Sequence, residues 1–531
     1  MTKDTAPPAQ AAKFNGMLAL LLAMAMFVLV VDTSIMNVSI SAVVRDLDST
    51  VSSVQSAIAL EALVSAAFIL IGGKVGDLIG RKRAYVIGLV AYAIGAIAMT
   101  LAQSILAIIV FWAVIGGLGA SLLLPSMQSL IHGNFEGSAQ ARVYALVGAS
   151  AAIAAAVGPL LGGVITTFLS WRIAFLLEAV IIAVVLSGIR LVRDVPYTGS
   201  RKVDVVGSLL SVVGMGGIVL GILAWQEGAG YVGLLIAVGI AGLFGLVFWL
   251  LRRKRRHQAA LLDPDLFTLP RFRFGISQQM LQQIALGGTM IVLPLYLQMV
   301  FEYNALEAGL SIAPLSLTMF AVALVAGRRL TKRRPAGLVR WGFLLLAVGL
   351  ISLVFVIPRA DSGWWLLVPL IICGGGLGLL VSQLNNYTLS PISNERVSEA
   401  AGVNSAAGSF GLSFGLAVAG AVLLAALAPL FTNLANSSEV LPAAEKQQVA
   451  QALDEDAQLL SNTQLTKQLA DQPQKIQDEI VRINTEARPI ALQIALIAPI
   501  LAALIGFILS FRMVRLPDPE QSDAPPGETI V

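Results

Sequence analysis

Three acids lie where an acid is least expected, inside long apolar runs: Asp32 within Val31-Asp32-Thr33-Ser34-Ile35-Met36-Asn37, Glu61 in the following run, and Glu178 further on. An ionisable group in such a run is costly to bury and usually functional. Desolvation and a neighbouring carboxylate both favour the neutral form of a carboxyl. A pair of such groups in a lipid-buried bundle can therefore take a proton from one side and give it up to the other, or exchange it for a cation. At about 1.5 Å per residue, Asp32 lies about 15 Å below the outer end of its helix and Glu61 about as far below the start of the next, so both fall near the midplane. Glu178 lies about 9 Å in from the outer start of its helix. Each has a plainer alternative: Asp32 a packing acid satisfied by Thr33 or Asn37, Glu61 a structural group, Glu178 a vestibule residue for cations or protons or a partner of Arg172. Spacing sets their depth and leaves their facing open.

The elements that must position these acids follow from composition. With 57% hydrophobic and 12% charged residues over 531 positions, the chain has a membrane composition. The apolar runs between charge clusters give 14 spans, each needing roughly 20 residues. The hydrophilic start, Met1 to Lys13, runs into a full-length first span without a cleavage site, so no cleavable signal peptide is expected. A single cysteine, Cys373, excludes an internal disulfide and a cysteine metal cluster. No nucleotide-binding loop is present and the only histidines are His132 and His257, so neither an enzyme, a cofactor nor a metal site is expected. The net charge of +4 does not point to nucleic acid, because the basic residues sort by loop. With both termini inside, 27 of the 35 Lys and Arg lie on that side, 3 in short outer loops and 5 in one long outer loop. This positive-inside bias predicts cytoplasmic termini and an even number of spans.

Two stretches carry more than hydropathy. In Gly148 to Trp171, small residues (Gly148, Ala151, Ala152, Ala155, Gly158, Gly162) recur at helical spacing and predict a face that a neighbouring backbone can approach closely. Pro159 removes one ladder hydrogen bond and invites a kink. Between the second and third spans, Gly72-Gly73-Lys74-Val75-Gly76-Asp77-Leu78-Ile79-Gly80-Arg81-Lys82-Arg83 sets glycines and an acid among basic residues. Charge bias alone would supply only the basic ones. Gly158, Pro159, Gly162 and Gly163, extended by Trp171, Arg172 and Phe175, resemble the antiporter motif of the major facilitator superfamily, in its branch of fourteen-span drug/proton antiporters. Gly73, Asp77, Gly80, Arg81 and Arg83 resemble that superfamily's cytoplasmic signature loop, with Leu78 where the family usually has Arg. The resemblance implies an all-α polytopic membrane protein of major facilitator fold. It has 14 transmembrane helices in a 6+2+6 plan and two pseudo-symmetric six-helix bundles. It also implies that the loop latches onto helix ends of the other half. One departure stands out: aligning Gly116-Gly117-Leu118-Gly119-Ala120 with the family's Gly-rich pattern puts Ala113 where an arginine implicated in proton transfer is expected. Trp112 beside it reads as a packing or lipid-facing ring, with a substrate-facing ring as the alternative.

The predicted organisation is a cytoplasmic segment 1–15, an N-terminal bundle 16–191, a two-helix insertion 192–256, a C-terminal bundle 257–512 and a Pro-rich disordered tail 513–531. In the second half, Gln278, Gln279, Gln282 and Gln283 form a polar stripe. Gln383, Asn385 and Asn386 offer amides to a neighbouring helix or a substrate. Residues 327–340 keep the glycine and basic residues of a repeated signature loop without its acid, as duplicated halves predict. The outer loop, about 432–488, holds nine acids and five bases, and Ile476, Ile480 and Ile483 recur at helical spacing, which predicts a helical hairpin on the outer surface. It reads as an exit gate, a partner contact or a dispensable insertion. Together with the resemblance, these features imply proton-coupled efflux of small hydrophobic, cationic compounds by alternating access, in a monomer whose partners are substrate, protons and the lipid bilayer. The alternatives are an exporter of an endogenous lipid, siderophore or metabolite, and a non-transporting membrane receptor or scaffold.

Overall fold

The computed structural model describes residues 15–194, 204–226, 228–258, 260–329, 333–392, 396–442, 446, 462–470 and 472–516. In a lipid core every backbone polar group must be satisfied within its own segment, which leaves helices as the form these apolar runs take. The first bundle is α1 (Gly16–Asp46), α2 (Val51–Ile79), α3 (Arg81–Leu101), α4 (Ile105–Asn134), α5 (Gly137–Phe168) and α6 (Trp171–Ser187). The inserted pair is α7 (Val205–Gln226) and α8 (Val232–Arg255). The second bundle is α9 (Pro270–Met299), α10 (Ala305–Arg329), α11 (Pro335–Val356), α12 (Leu367–Leu389), α13 (Val397–Ser437), the short α14 (Asn462–Gln468), α15 (Gln474–Ala495) and α16 (Ile497–Val514). Fourteen of these helical stretches are long and apolar enough to cross a membrane, and the side predicted to hold both termini is called inner below. The predicted tail beyond residue 516 and the loop residues 195–203 fall outside the described residues.

Local chemistry sets the helix starts. Asn15 caps α1 by accepting from Leu18 N at 3.1 Å, and Thr50 caps α2 by accepting from Ser53 N at 3.2 Å, each satisfying an amide the helix leaves free. Between α2 and α3, Gly80 takes φ +100°, a conformation glycine adopts without strain. A Cβ there would also meet the Asp194 carboxylate at 2.8 Å.

The two bundles meet along glycine- and serine-lined seams. Ser413 of α13 donates to the Ala59 carbonyl of α2 at 2.6 Å. Pro159 and Gly163 of α5 face α10: a Cβ on Gly309 would strike the Pro159 carbonyl, and one on Gly163 would lie 2.7 Å from the Ala305 carbonyl. On its other side α5 presses Gly158 and Gly162 against Ser34, Ile35 and Val38 of α1. The predicted small-residue face is therefore real over its outer part, while at Gly148 nothing lies within 4 Å. The outer ends of α1 and α9 are clasped, Gln298 accepting from Ser41 N and donating to the Val38 carbonyl, both at 3.2 Å. The inserted pair crosses at Gly217 and Gly239, and its α7 packs on both α2 and α13.

Candidate functional site

Glycines let the helices around the acids close in. A Cβ on Gly119 of α4 would lie 2.8 Å from the Gly88 carbonyl of α3, one on Gly95 3.1 Å from the Phe111 carbonyl, and one on Gly117 3.0 Å from the Glu61 carbonyl of α2. The Gly-rich run 116–120 thus nests α4 between α2 and α3. Just before it, residues Ile108–Gly116 leave the α register and form a π-helical stretch, a form that is rare and mostly found at functional sites.

Inside this packing the three acids come together. Asp32 is fully buried (0% exposed), accepts a hydrogen bond from the Tyr92 hydroxyl of α3, and accepts from the Trp112 indole N–H, which lies 3.0 Å from each carboxylate oxygen. Glu178 of α6 is 2% exposed and neither carboxylate oxygen has a hydrogen-bond partner. Glu61 of α2 is 8% exposed. Both lie within electrostatic range of Asp32, and the Tyr92 hydroxyl lies within range of all three. The sequence holds Lys and Arg only near the ends of these six spans. The result is a buried cluster within the first bundle, called the chamber below, of three carboxyls, a phenol and an indole.

The plainer alternatives resolve in part. Neither Thr33 nor Asn37 satisfies Asp32; Tyr92 and Trp112 do. Arg172 does not pair with Glu178, since it engages Asp46 and donates to the Ala102 carbonyl at 2.6 Å. Glu178 is enclosed rather than open to an outer vestibule, with Phe175, three residues earlier on the same helix, packed edge-on to Trp112 at 6.2 Å. Trp112 is neither lipid-facing nor merely packed. Sequence reasoning missed its bond to Asp32, although an indole N–H in an apolar run needs a partner, and an acid one helix away supplies it.

The signature loop stands apart from the chamber, at the inner end. Asp77 pairs with Arg81, whose guanidinium also donates to the Gly73 carbonyl at 3.2 Å. Asp194, beyond α6, accepts from Lys82 N at 2.9 Å, and Lys82 Nζ donates to the Val192 carbonyl at 2.7 Å. These contacts tie the loop to its own half. Arg83 and Leu78 are exposed. In the second bundle, Gln278 donates to the Gly506 carbonyl at 2.9 Å and Asn404 to Asn385 at 3.1 Å, so these amides bond between helices.

Fourteen apolar spans, two bundles joined along close seams and an acid chamber in one of them define a polytopic membrane transporter. The sequence profile of the Major Facilitator Superfamily matches residues 22–416, and the chain belongs to that family. It is 27% identical over 406 residues to the "Probable actinorhodin transporter" of Streptomyces coelicolor, covering 75% of this chain and 70% of that one. It is 29% identical over 407 residues to a multidrug resistance protein of Mycobacterium tuberculosis (75% and 74% covered). It is 30% identical over 404 residues to a cephamycin export protein of Amycolatopsis lactamdurans (74% and 82% covered). These relatives agree with the drug-exporting branch that the motifs resemble. Among solved structures, an inward-facing bacterial homolog of the human lysosomal transporter Spinster superposes with a TM-score of 0.61 at 14% identity, covering 95% of this chain and 98% of that one. A D-xylose–proton symporter superposes with a TM-score of 0.56 at 13% identity over 77% and 90%.

Proposed function

We propose that this chain is a proton-coupled exporter of small hydrophobic cations, working by alternating access between the two bundles in a bacterial cytoplasmic membrane with both termini inside. The observation that carries the reading is the chamber itself. Glu61 and Glu178 each lie within range of Asp32, the sequence places no Lys or Arg at their depth in these spans, and Glu178 has no hydrogen-bond partner. Burying even one charge without a partner is severely unfavourable, so the shut chamber holds Glu178 as a neutral acid. Opening it toward water or toward a cationic substrate lets a proton leave. Loading a proton and loading a cation then exclude one another, and that exclusion is the physical basis of antiport. Export rather than uptake follows the relatives named for multidrug resistance and cephamycin export. Two relatives named for a single compound, actinorhodin or cephamycin, favour a narrower exporter as the second reading.

The test uses the full chain in proteoliposomes with ethidium as probe. An acid interior is expected to drive ethidium accumulation, and added ethidium to make the interior more alkaline. Asp32→Asn should abolish both. Accumulation indifferent to the imposed pH gradient would overturn the reading.

A further inference from the structure

Trp112 supplies a neutral donor to the central acid of this chamber. Its indole N–H lies 3.0 Å from both oxygens of Asp32, while the neighbouring Ala113 is buried and offers no polar atom. Two features aim the ring. The stretch Ile108–Gly116 is π-helical, and its i→i+5 bonding makes a wider turn that displaces the following side chains around the axis relative to a continuous α-helix. The ring is then braced from α6, where Phe175 meets it edge-on at 6.2 Å and Trp171 meets Phe175 edge-on at 6.1 Å. Trp171 is itself fixed by donating to Asp46 at 2.9 Å, beside the Arg172–Asp46 ion pair. An aromatic ladder therefore runs from the outer ion pair to the buried acid.

We infer that Trp112 is the positioning residue for Asp32: its N–H, held by the π-helical turn and the Phe175–Trp171 brace, is the neutral donor that steadies the carboxylate each time its proton departs to water. The inference rests on the proton-coupled reading above. The other groups that face Asp32 are Tyr92 from α3, Glu61 from α2 and Glu178 from α6. From α5, Gly158 lies against Val31 and Ser34 and brings no titratable group. Tyr92 is the second donor, and the two acids oppose charge on Asp32, so among the described residues the indole is one of two groups that favour it.

The experiment is the pH profile of ethidium-driven proton movement in proteoliposomes. Trp112→Phe keeps an aromatic ring and removes the N–H; because a donor to the carboxylate favours its charged form, the half-maximal point should move to higher pH by about one unit. Trp112→Gln keeps an N–H donor and gives up the ring, and should lie nearer the wild type than Trp112→Phe. A Trp112→Phe profile superimposed on the wild type, or a Trp112→Gln profile displaced further than Trp112→Phe, would reduce Trp112 to a packing ring and overturn the inference. Loss of coupling in Asp32→Asn with such a result leaves the antiport reading standing, whereas retained coupling in Asp32→Asn sinks that reading instead.

Discussion

Two buried acids in this chain show opposite designs. Asp204, 2% exposed, accepts from Gly207 N at 3.0 Å, Trp249 Nε1 at 2.9 Å and Leu261 N at 3.1 Å, and lies 3.3 Å from the Arg253 guanidinium. It ties the start of α7, the end of α8 and the connection to the second bundle into one knot. Asp204→Ala removes a helix cap and takes this acceptor from three further donors, Trp249, Leu261 and Arg253, which should cost about 2–4 kcal/mol and lower the thermal transition of the detergent-solubilised protein by several degrees. Glu178 has no such partners. Glu178→Gln removes an ionisable group without breaking a bond, so the transition should stay where it is or rise, while ethidium-driven proton movement falls at least tenfold. A Glu178→Gln variant that loses stability as Asp204→Ala does would mark Glu178 as structural.

At the scale of helices, close approach separates glycines that serve the mechanism from glycines that do not. A Cβ on Gly309 would strike the Pro159 carbonyl across the seam between the bundles, whereas Gly148, on the same motif helix, has nothing within 4 Å. Gly309→Val should leave membrane insertion intact, since α10 stays apolar, and cut ethidium export about tenfold or more. Gly148→Val should stay within about twofold of wild type; equal effects from the two would deny the seam a role. The spans and the seam helix are legible in the sequence because lipid demands long apolar runs and close helix crossings demand small side chains. That Asp32, Glu61 and Glu178 lie within membrane-length helices is legible for the same reason. What faces them is not, because pairing across helices depends on rotation about each axis, and the π-helical stretch at Ile108–Gly116 changes that rotation with no proline inside it and a glycine only at its last position. The partnership of Trp112 with Asp32 is therefore visible only in three dimensions, as are the ties between the signature loop and Asp194.

Taken whole, the molecule attaches its outer elaboration to one bundle. The α13 helix runs on to Ser437, where Ser438 donates to Glu479 at 2.5 Å, and Arg482 clasps Glu479 and Glu486. The α14 helix is fixed by Thr463, whose amide donates to Glu302 at 2.8 Å, and Arg488 donates to the Met299 carbonyl at 3.0 Å. Gln493 donates to the Val354 carbonyl at 2.6 Å. Every one of these anchors belongs to the second bundle, so the described part of the outer loop moves with it as one body when the bundles rock. The clasp from Gln298 to Val38 and Ser41, by contrast, joins the two bundles and must break whenever the outer side opens. Cross-linking separates the two kinds of contact in a chain whose buried Cys373 has been replaced by serine. A short bifunctional thiol reagent joining Glu302→Cys to Thr463→Cys should leave ethidium export within about twofold of the untreated protein. The same reagent joining Ser41→Cys to Gln298→Cys should abolish export, and cleaving the link should restore it. Loss of export with the first pair would mean that the outer elaboration shifts relative to its own bundle during the cycle, which its anchoring to α9, α11 and α13 forbids.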